Sequence, residues 1–188
     1  MYTLIWNQKA LERNMANRLA LLAQFTRIGF IAFGAVLLLM PADARAANSC
    51  PWMNEATASG LIGGEAVGAF AARQGQPSIC TFTQHAGNET RTLKIVVEVA
   101  ADPHARFLAL AQTCEGPASP LNAIGNEAVV CPVDPRSEKP GERVMGRVRD
   151  QIFTITISSS LKNDPVLNMA DIKTKIGTAA EQVTGNLF

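Results

Sequence analysis

The sequence predicts an α+β domain in which helices pack on one face of an antiparallel sheet and two disulfides crosslink the chain. Three observations carry this prediction. Apolar and polar residues alternate over Thr92 to Val99 (TLKIVVEV) and again over Gln151 to Ser158, which is the pattern of a strand with one buried face. Apolar residues recur at helical spacing between Asn168 and Val183. Four cysteines, an even number, follow an apolar N-terminal run.

The first 46 residues are typical of a secretory signal peptide. Residues 28–40 (IGFIAFGAVLLLM) carry no charge; this run is short for a membrane span, which needs roughly 20 residues, but suits a signal-peptide core. Arginines precede the run, and two overlapping Ala-x-Ala patterns follow it. We predict cleavage after Ala46, with Ala44 as the second choice. An uncleaved N-terminal anchor is the alternative, and a start at Met15 gives a leader of more ordinary length.

Residues 47–188 are predicted to form a single exported domain, periplasmic or extracellular, that is long enough to bury a sizeable core. From residue 47 onward, 12 Lys and Arg against 14 Asp and Glu give a net charge of −2. No basic patch or aromatic platform indicates nucleic-acid binding. No second long apolar run predicts a membrane span after signal cleavage, and no nucleotide-binding loop or other motif indicates a cofactor.

The cysteines of this domain predict two disulfides, because exported proteins usually pair their cysteines. They are Cys50, Cys80, Cys114 and Cys131. Three pairings are possible, and we favour Cys50–Cys80 with Cys114–Cys131, since these join neighbours in sequence and each crosslinks one half of the domain. The alternative for Cys50 is a lipid anchor, but Ala47 stands where a lipid-attachment motif has a Leu-like residue. A metal site is not expected, because the chain has no Cys-x2-Cys pair.

The first half of the domain is predicted to be a helix followed by three strands. Asn54 caps a short helix that ends at Gly63-Gly64. Extended segments over Ala66–Ala72 and Ser78–Gln84 then precede the Thr92–Val99 strand, whose alternating polar residues predict that the other face of the sheet is wet or only partly covered.

The second half repeats this plan, which gives the order α-βββ-α-βββ-α. Asp102 and Pro103 open a helix that runs to Cys114. Its apolar stripe is Ala105, Leu108 and Ala111, with Phe107 and Leu110 beside them. Strands over Glu127–Cys131 and Arg143–Arg149 follow, and a tight Arg149-Asp150 turn leads into the Gln151–Ser158 strand before the last helix.

Several segments together resemble a known family. They are "CPWMNEATASGLIGG", "SICTF", "AIGNEA", "RVRDQIFTITI" and the C-terminal amphipathic helix, in this order. The set resembles an actinobacterial family of uncharacterised exported lipoproteins, to which the extracellular sensor domain of a mycobacterial serine/threonine kinase looks related. The resemblance implies an α+β sandwich-like domain with a cleft, a Cys50–Cys80 disulfide, and a binding or sensing role. Many members carry a separate lipidated cysteine, and this chain departs from that pattern at Cys50, so the resemblance does not predict a membrane tether.

These observations predict a non-catalytic binding or sensing domain of the cell envelope, with an unknown envelope ligand or protein as its partner. The candidate contact residues are Trp52, Phe82, Arg147 and Arg149. The two aromatic residues also suit the core, and the two arginines also suit a solvated strand face. A structural or protein-interaction component of the envelope, acting through a sheet edge or a helical face, is the alternative.

A hydrolase is the less favoured hypothesis. The chain has no G-x-S-x-G nucleophile motif, and Ser158-Ser159-Ser160 stands at a strand end without a marked base. His85 falls in a predicted turn and His104 in the first turn of a helix, positions that suit surface residues. The sequence therefore names no catalytic residue.

Overall fold

A computed structural model describes residues 49–188 of the chain. The leader, both cleavage sites and Met15 lie outside the described residues. The helices are α1 (Glu55–Ile62), α2 (Pro103–Ala111) and α3 (Met169–Gly185). The strands are β1 (Val67–Ala71), β2 (Ser78–Ala86), β3 (Glu89–Val99), β4 (Ser119–Pro120), β5 (Glu127–Pro132), β6 (Gly141–Val148) and β7 (Gln151–Ser159). No helix in this part of the chain has the length and apolar composition needed to cross a membrane.

The seven strands form one antiparallel sheet in the order β1-β2-β3-β7-β6-β5-β4. Nine residue pairs, from Arg91–Ser159 to Val99–Gln151, join β3 to β7 and so unite the two halves of the domain in the middle of the sheet. The predicted α+β class with an antiparallel sheet is confirmed. The order differs by one element, because the two-residue strand β4 is too short to leave a periodic pattern in the sequence.

One side of the sheet, here called the core face, carries the main core together with α1 and α3. The predicted alternation is confirmed: Leu93 and Ile95 of β3 and Ile155 and Ile157 of β7 are fully buried. The helices contribute Ala58, Leu61, Ile62, Ile172, Ile176, Ala179, Ala180 and Val183 to the same core. Burial of this apolar surface, at roughly 25 cal/mol per Å², is the main term that holds both helices on the sheet.

Side chains at the helix starts satisfy the free backbone N–H groups, as the sequence predicts. Asn54 Oδ1 accepts from the backbone N–H of Thr57 at 2.8 Å, and Asp102 Oδ1 accepts from that of Ala105 at 3.0 Å. At the end of α1, Gly63 adopts a φ of 75°, and a Cβ there would lie 2.5 Å from Cγ1 of Val166. Glycine is therefore required at this point by both the backbone and its neighbour.

Helix α2 lies on the opposite side of the sheet, here called the outer face. Its Arg106 forms an ion pair with Glu98, which points away from the core face in β3. The prediction that the helices share one face therefore holds for α1 and α3 but not for α2. The predicted apolar stripe of α2 is also wrong: Phe107 is the buried residue of this helix, and Leu108 is 46% exposed. Phe107 is not part of the main core; α2 contacts β6 and β7, whose buried outer-face residues are Met145 and Ile152.

The two favoured disulfides are confirmed, and each fastens a helical segment to a different face. Cys50–Cys80 (Cα–Cα 5.6 Å) joins the segment before α1 to β2 on the core face. Cys114–Cys131 (6.0 Å) joins the end of α2 to β5 on the outer face. In the chain-entropy treatment each crosslink stabilises the fold by about 3–4 kcal/mol. The sulfur of Cys50 is bonded to Cys80, so it is not free to carry a lipid thioether.

A buried ionic network closes one end of the core face. Arg91 Nε donates to Asp164 Oδ2 at 2.7 Å, and Arg91 Nη1 donates to Gln84 Oε1 at 3.2 Å. Asp164 also accepts from Ser159 Oγ and from the backbone N–H groups of Val166 and Leu167. Burial acts to raise the pKa of Asp164, but these hydrogen bonds outweigh it and hold the pKa well below its usual range.

Candidate functional site

The uncovered half of the outer face presents a regular array of hydroxyl groups. It lies over β2, β3 and β7, beside the half that α2 covers. We call it the hydroxyl surface, and it consists of Thr81, Thr83, Thr92, Thr154, Thr156 and Ser158. All six are partly exposed. Because the strands pair in regular register, these side chains stand in rows across the sheet, one of which runs Thr83–Thr92–Ser158.

Two cations stand in the neighbouring row: Lys94 lies within the surface, and Arg143 lies at its border in β6. Lys94 of β3 pairs with Thr156 of β7, and Thr156 pairs with Arg143 of β6. Thr81 of β2 extends the row on the other side of Lys94. Among the described residues, neither Lys94 nor Arg143 has an ion-pair partner or a side-chain hydrogen bond. The row therefore combines hydroxyl groups with two uncompensated positive charges.

Helix α2 borders this surface, and polar contacts hold its start to the sheet. His104 Nδ1 lies 2.9 Å from Glu127 Oε1, and Arg147 Nε donates to the same oxygen at 2.6 Å. Burial acts to raise the pKa of Glu127, but the hydrogen bonds with His104 and Arg147 outweigh it, so the pKa lies below its ordinary value. His104 and Arg147 both contact Glu127, and these contacts hold the start of α2 on the sheet. Lys94 and Arg143 are then the strand cations of the described outer face that have no ion-pair partner.

Arg147 and Arg149, two of the predicted contact residues, both take part in internal contacts. Arg147 binds Glu127, as described, and its Nη1 donates to the carbonyl of Arg149 at 3.2 Å. Arg149 occupies the β6–β7 turn with a φ of 55°, donates its backbone N–H to Asn126 Oδ1, and places its guanidinium 5.5 Å from the ring centre of Phe188. The predicted tight turn is present, and its arginine packs on the C-terminal residue.

Trp52 and Phe82, the other two predicted contact residues, lie in the core. Trp52 is 8% exposed and meets Phe70 edge-on, with ring centres 6.0 Å apart. Phe70 is the register partner of Cys80, so Trp52 packs beside the first disulfide. Phe82 is 1% exposed on the core face. The structure thus separates these two aromatic side chains from the two arginines.

The residues of a serine hydrolase are not brought together in the described part of the chain. Ser159 Oγ donates to Asp164 and Ser160 Oγ donates to Glu89, so neither serine is hydrogen-bonded to a histidine. His104 is bonded to Glu127, and no Ser, Thr or Cys of the described residues joins this pair. Within residues 49–188, no group of three or more His, Cys, Asp and Glu side chains is placed to hold a metal ion.

The sequence alone does not identify the hydroxyl surface as a site, although the polar residues that form it follow a visible pattern in each strand. Polar residues alternate with buried ones in three separate strands, and most of them are threonine or serine rather than the charged residues common on solvated strands. The alternation predicts that each strand has a polar side. The alternation within one strand does not predict that the polar sides of three strands lie next to one another in the sheet.

The comparisons with known proteins return no relative. The chain matches no protein-family model, and no curated protein or solved structure matches it at a level that would indicate a relationship. The resemblance to exported actinobacterial lipoproteins therefore stays a prediction, and any functional argument rests on the geometry of the domain.

Proposed function

We propose that this chain is an exported, non-catalytic binding domain of the cell envelope and that it binds its ligand on the hydroxyl surface. The observation that carries the proposal is the asymmetry of the sheet. The core face is covered by α1 and α3, and α2 covers half of the outer face, whereas no described element covers the other half. The two disulfides support a location outside the cytoplasm, where such bonds persist.

The edge of the sheet is a weaker candidate for binding than its face. Two side chains of α1 occupy outward N–H groups along the edge strand β1. Ser59 Oγ accepts from the backbone N–H of Ala66 at 2.9 Å, and Glu55 Oε1 accepts from that of Gly68 at 2.8 Å. An added strand would have to displace these contacts, so the arrangement protects the edge. This argues against strand addition at the β1 edge, and it favours the open face over that edge.

The experiment is a thermal-shift screen with a variant that blocks the surface. Thr156→Trp places a large ring in the middle of the hydroxyl surface, and Thr178→Trp places the same ring on an exposed position of α3. The panel contains envelope polysaccharides, lipid vesicles and peptides. A ligand at about 100 times its Kd should add about 2.7 kcal/mol to the free energy of unfolding.

We expect at least one class of ligand to raise the Tm of the wild type and of Thr178→Trp equally, and to leave Thr156→Trp unchanged. A ligand that stabilises Thr156→Trp as much as the wild type binds elsewhere and would overturn the assignment of the surface. No response across the panel would count against a binding domain. If the purified protein converts any member of the panel to a product, the proposed function changes from binding to catalysis.

A further inference from the structure

We propose that the ligand is an anionic polysaccharide and that one of its charged groups binds above Thr156, between Lys94 and Arg143. This inference rests on the proposed function, because it names the ligand class of the same surface. It follows from the positions of the three residues, from the charges around them and from the chemistry of the hydroxyl rows.

The three residues form a short line perpendicular to the strands. Lys94 and Thr156 are register partners, as are Thr156 and Arg143, so a single strand separates the two cations. With adjacent strands about 4.8 Å apart, the two backbones lie roughly 10 Å from each other. Long, flexible side chains starting at this separation can converge on one anion, while the hydroxyl between them donates a hydrogen bond to it.

The surrounding charges leave this position without a counter-ion in the described part of the chain. Glu98 and Glu127 are the acidic strand residues of the outer face, and each is engaged by an arginine, Arg106 or Arg147. Lys94 and Arg143 are therefore two like charges on one surface, and an anion between them relieves their repulsion. The domain as a whole carries a net charge of −2 from residue 47 onward, so this attraction is a local property of the surface.

The remaining groups favour a sugar polymer as the carrier of the anion. Threonine and serine hydroxyls both donate and accept hydrogen bonds, as sugar hydroxyls do, and here they extend over three adjacent strands. Among the described strand residues of the outer face, the imidazole of His85 is the single aromatic ring, so the surface offers no row of rings on which successive nucleic-acid bases could stack. The large apolar side chains beside the hydroxyl rows are Ile79 and Val96, which are partly exposed, and Val67 of the edge strand β1, which is 66% exposed. These three side chains provide little surface for insertion into a membrane.

The test uses dextran sulfate and uncharged dextran of equal chain length as probes. Binding is measured by titration calorimetry for the wild type and for the double variant Lys94→Gln/Arg143→Gln. The matched control is Arg73→Gln/Arg136→Gln, which removes the same charge from exposed positions outside the surface. Thr156→Val, which keeps the shape of the side chain and removes its hydroxyl, tests the hydrogen bond.

We expect the wild type to bind dextran sulfate, more weakly as salt is raised, and not to bind dextran. Loss of one exposed and one partly exposed charge contact, at roughly threefold each, should weaken binding by about tenfold in Lys94→Gln/Arg143→Gln. The control should stay within about twofold of the wild type, and Thr156→Val should lie between the control and the double variant.

Other outcomes overturn the inference in distinguishable ways. If Arg73→Gln/Arg136→Gln loses as much affinity for dextran sulfate as Lys94→Gln/Arg143→Gln, the polymer is attracted to any surface cation rather than to this position. In another outcome both dextrans bind equally, and binding is abolished by Thr156→Trp but not by Lys94→Gln/Arg143→Gln. This result would support the proposed function and refute the inference that the ligand is anionic. Binding to anionic lipid vesicles but not to dextran sulfate would replace the polysaccharide by a lipid surface. If no probe or envelope ligand binds, and Thr156→Trp behaves as the wild type throughout, both proposals fail.

Discussion

Replacing Asp164 by leucine tests the buried ionic network most directly. Asp164 is 1% exposed and Arg91 is 7% exposed. The carboxylate accepts four hydrogen bonds, from Arg91 Nε, Ser159 Oγ and two backbone N–H groups of the following loop. Its removal leaves a guanidinium that is buried beside Gln84 without a counter-charge, and it releases the loop that leads into α3.

Breaking a buried pair by removing one partner costs about 3–5 kcal/mol. This is a large part of the roughly 5–15 kcal/mol that holds a domain folded. At about 3 °C per kcal/mol for a domain of this size, the Tm of Asp164→Leu should fall by about 10–15 °C. The double variant Arg91→Met/Asp164→Leu removes both charges and should therefore lose less than Asp164→Leu alone, since no unpaired charge remains.

The assay is equilibrium denaturation in urea with the disulfides intact, analysed as a double-mutant cycle. Glu181→Leu, an exposed carboxylate on α3, is the control and should change stability by less than about 0.5 kcal/mol. Because the pKa of Asp164 is held low, its contribution is present above about pH 4 and is lost as the pH falls toward the folded-state pKa. Asp164→Leu should lack this acid-dependent loss. A cost below 1 kcal/mol, or a double variant less stable than the single one, would refute this reasoning.

Three further predictions concern the core and the outer face. Glu142 is 2% exposed and burial raises its pKa, so Glu142→Gln should be more stable than the wild type at pH 7. That gain should disappear as the pH falls below about 4, where the wild-type carboxyl becomes protonated in both the folded and the unfolded state; a less stable variant at pH 7 would contradict this. At Gly146 a Cβ would overlap Cζ of Phe153, so Gly146→Ala should cost about 1–3 kcal/mol in urea denaturation, and an unchanged midpoint would exclude the overpacking. Replacing Cys114 and Cys131 by serine should lower the free energy of unfolding by about 3 kcal/mol. Amide hydrogen exchange should then become faster in α2 than in β3 and β7. Equal protection of all three elements would show that the disulfide does not hold the helix.

Local pattern was sufficient for the three helices, for every strand except the two-residue β4, and for the core-face side of β3 and β7. The alternation through Leu93 and Ile95 indicated burial correctly because a strand turns every second side chain to the same face. Asn54 and Asp102 marked helix starts correctly because their side chains reach the first free N–H groups of the same segment. Each of these features depends on residues within one turn or a few strand positions, so the sequence alone determined them.

The placement of α2 and the candidate site depended on contacts between distant segments. The apolar residues of α2 predicted a helix against a sheet, but nothing in its sequence distinguishes one face of that sheet from the other. The ion pairs of Arg106 and His104 and the Cys114–Cys131 bond placed it on the outer face.

Likewise, the strand patterns told which residues share a side of their own strand, and only the pairing of β3 with β7 brought Lys94, Thr156 and Arg143 into one row. Periodicity along a chain reports the direction of each side chain, whereas adjacency across a sheet is decided by which strands pair. The sequence by itself therefore determined an α+β domain with two disulfides, and the tertiary structure decided where its open surface lies and which charges stand on it.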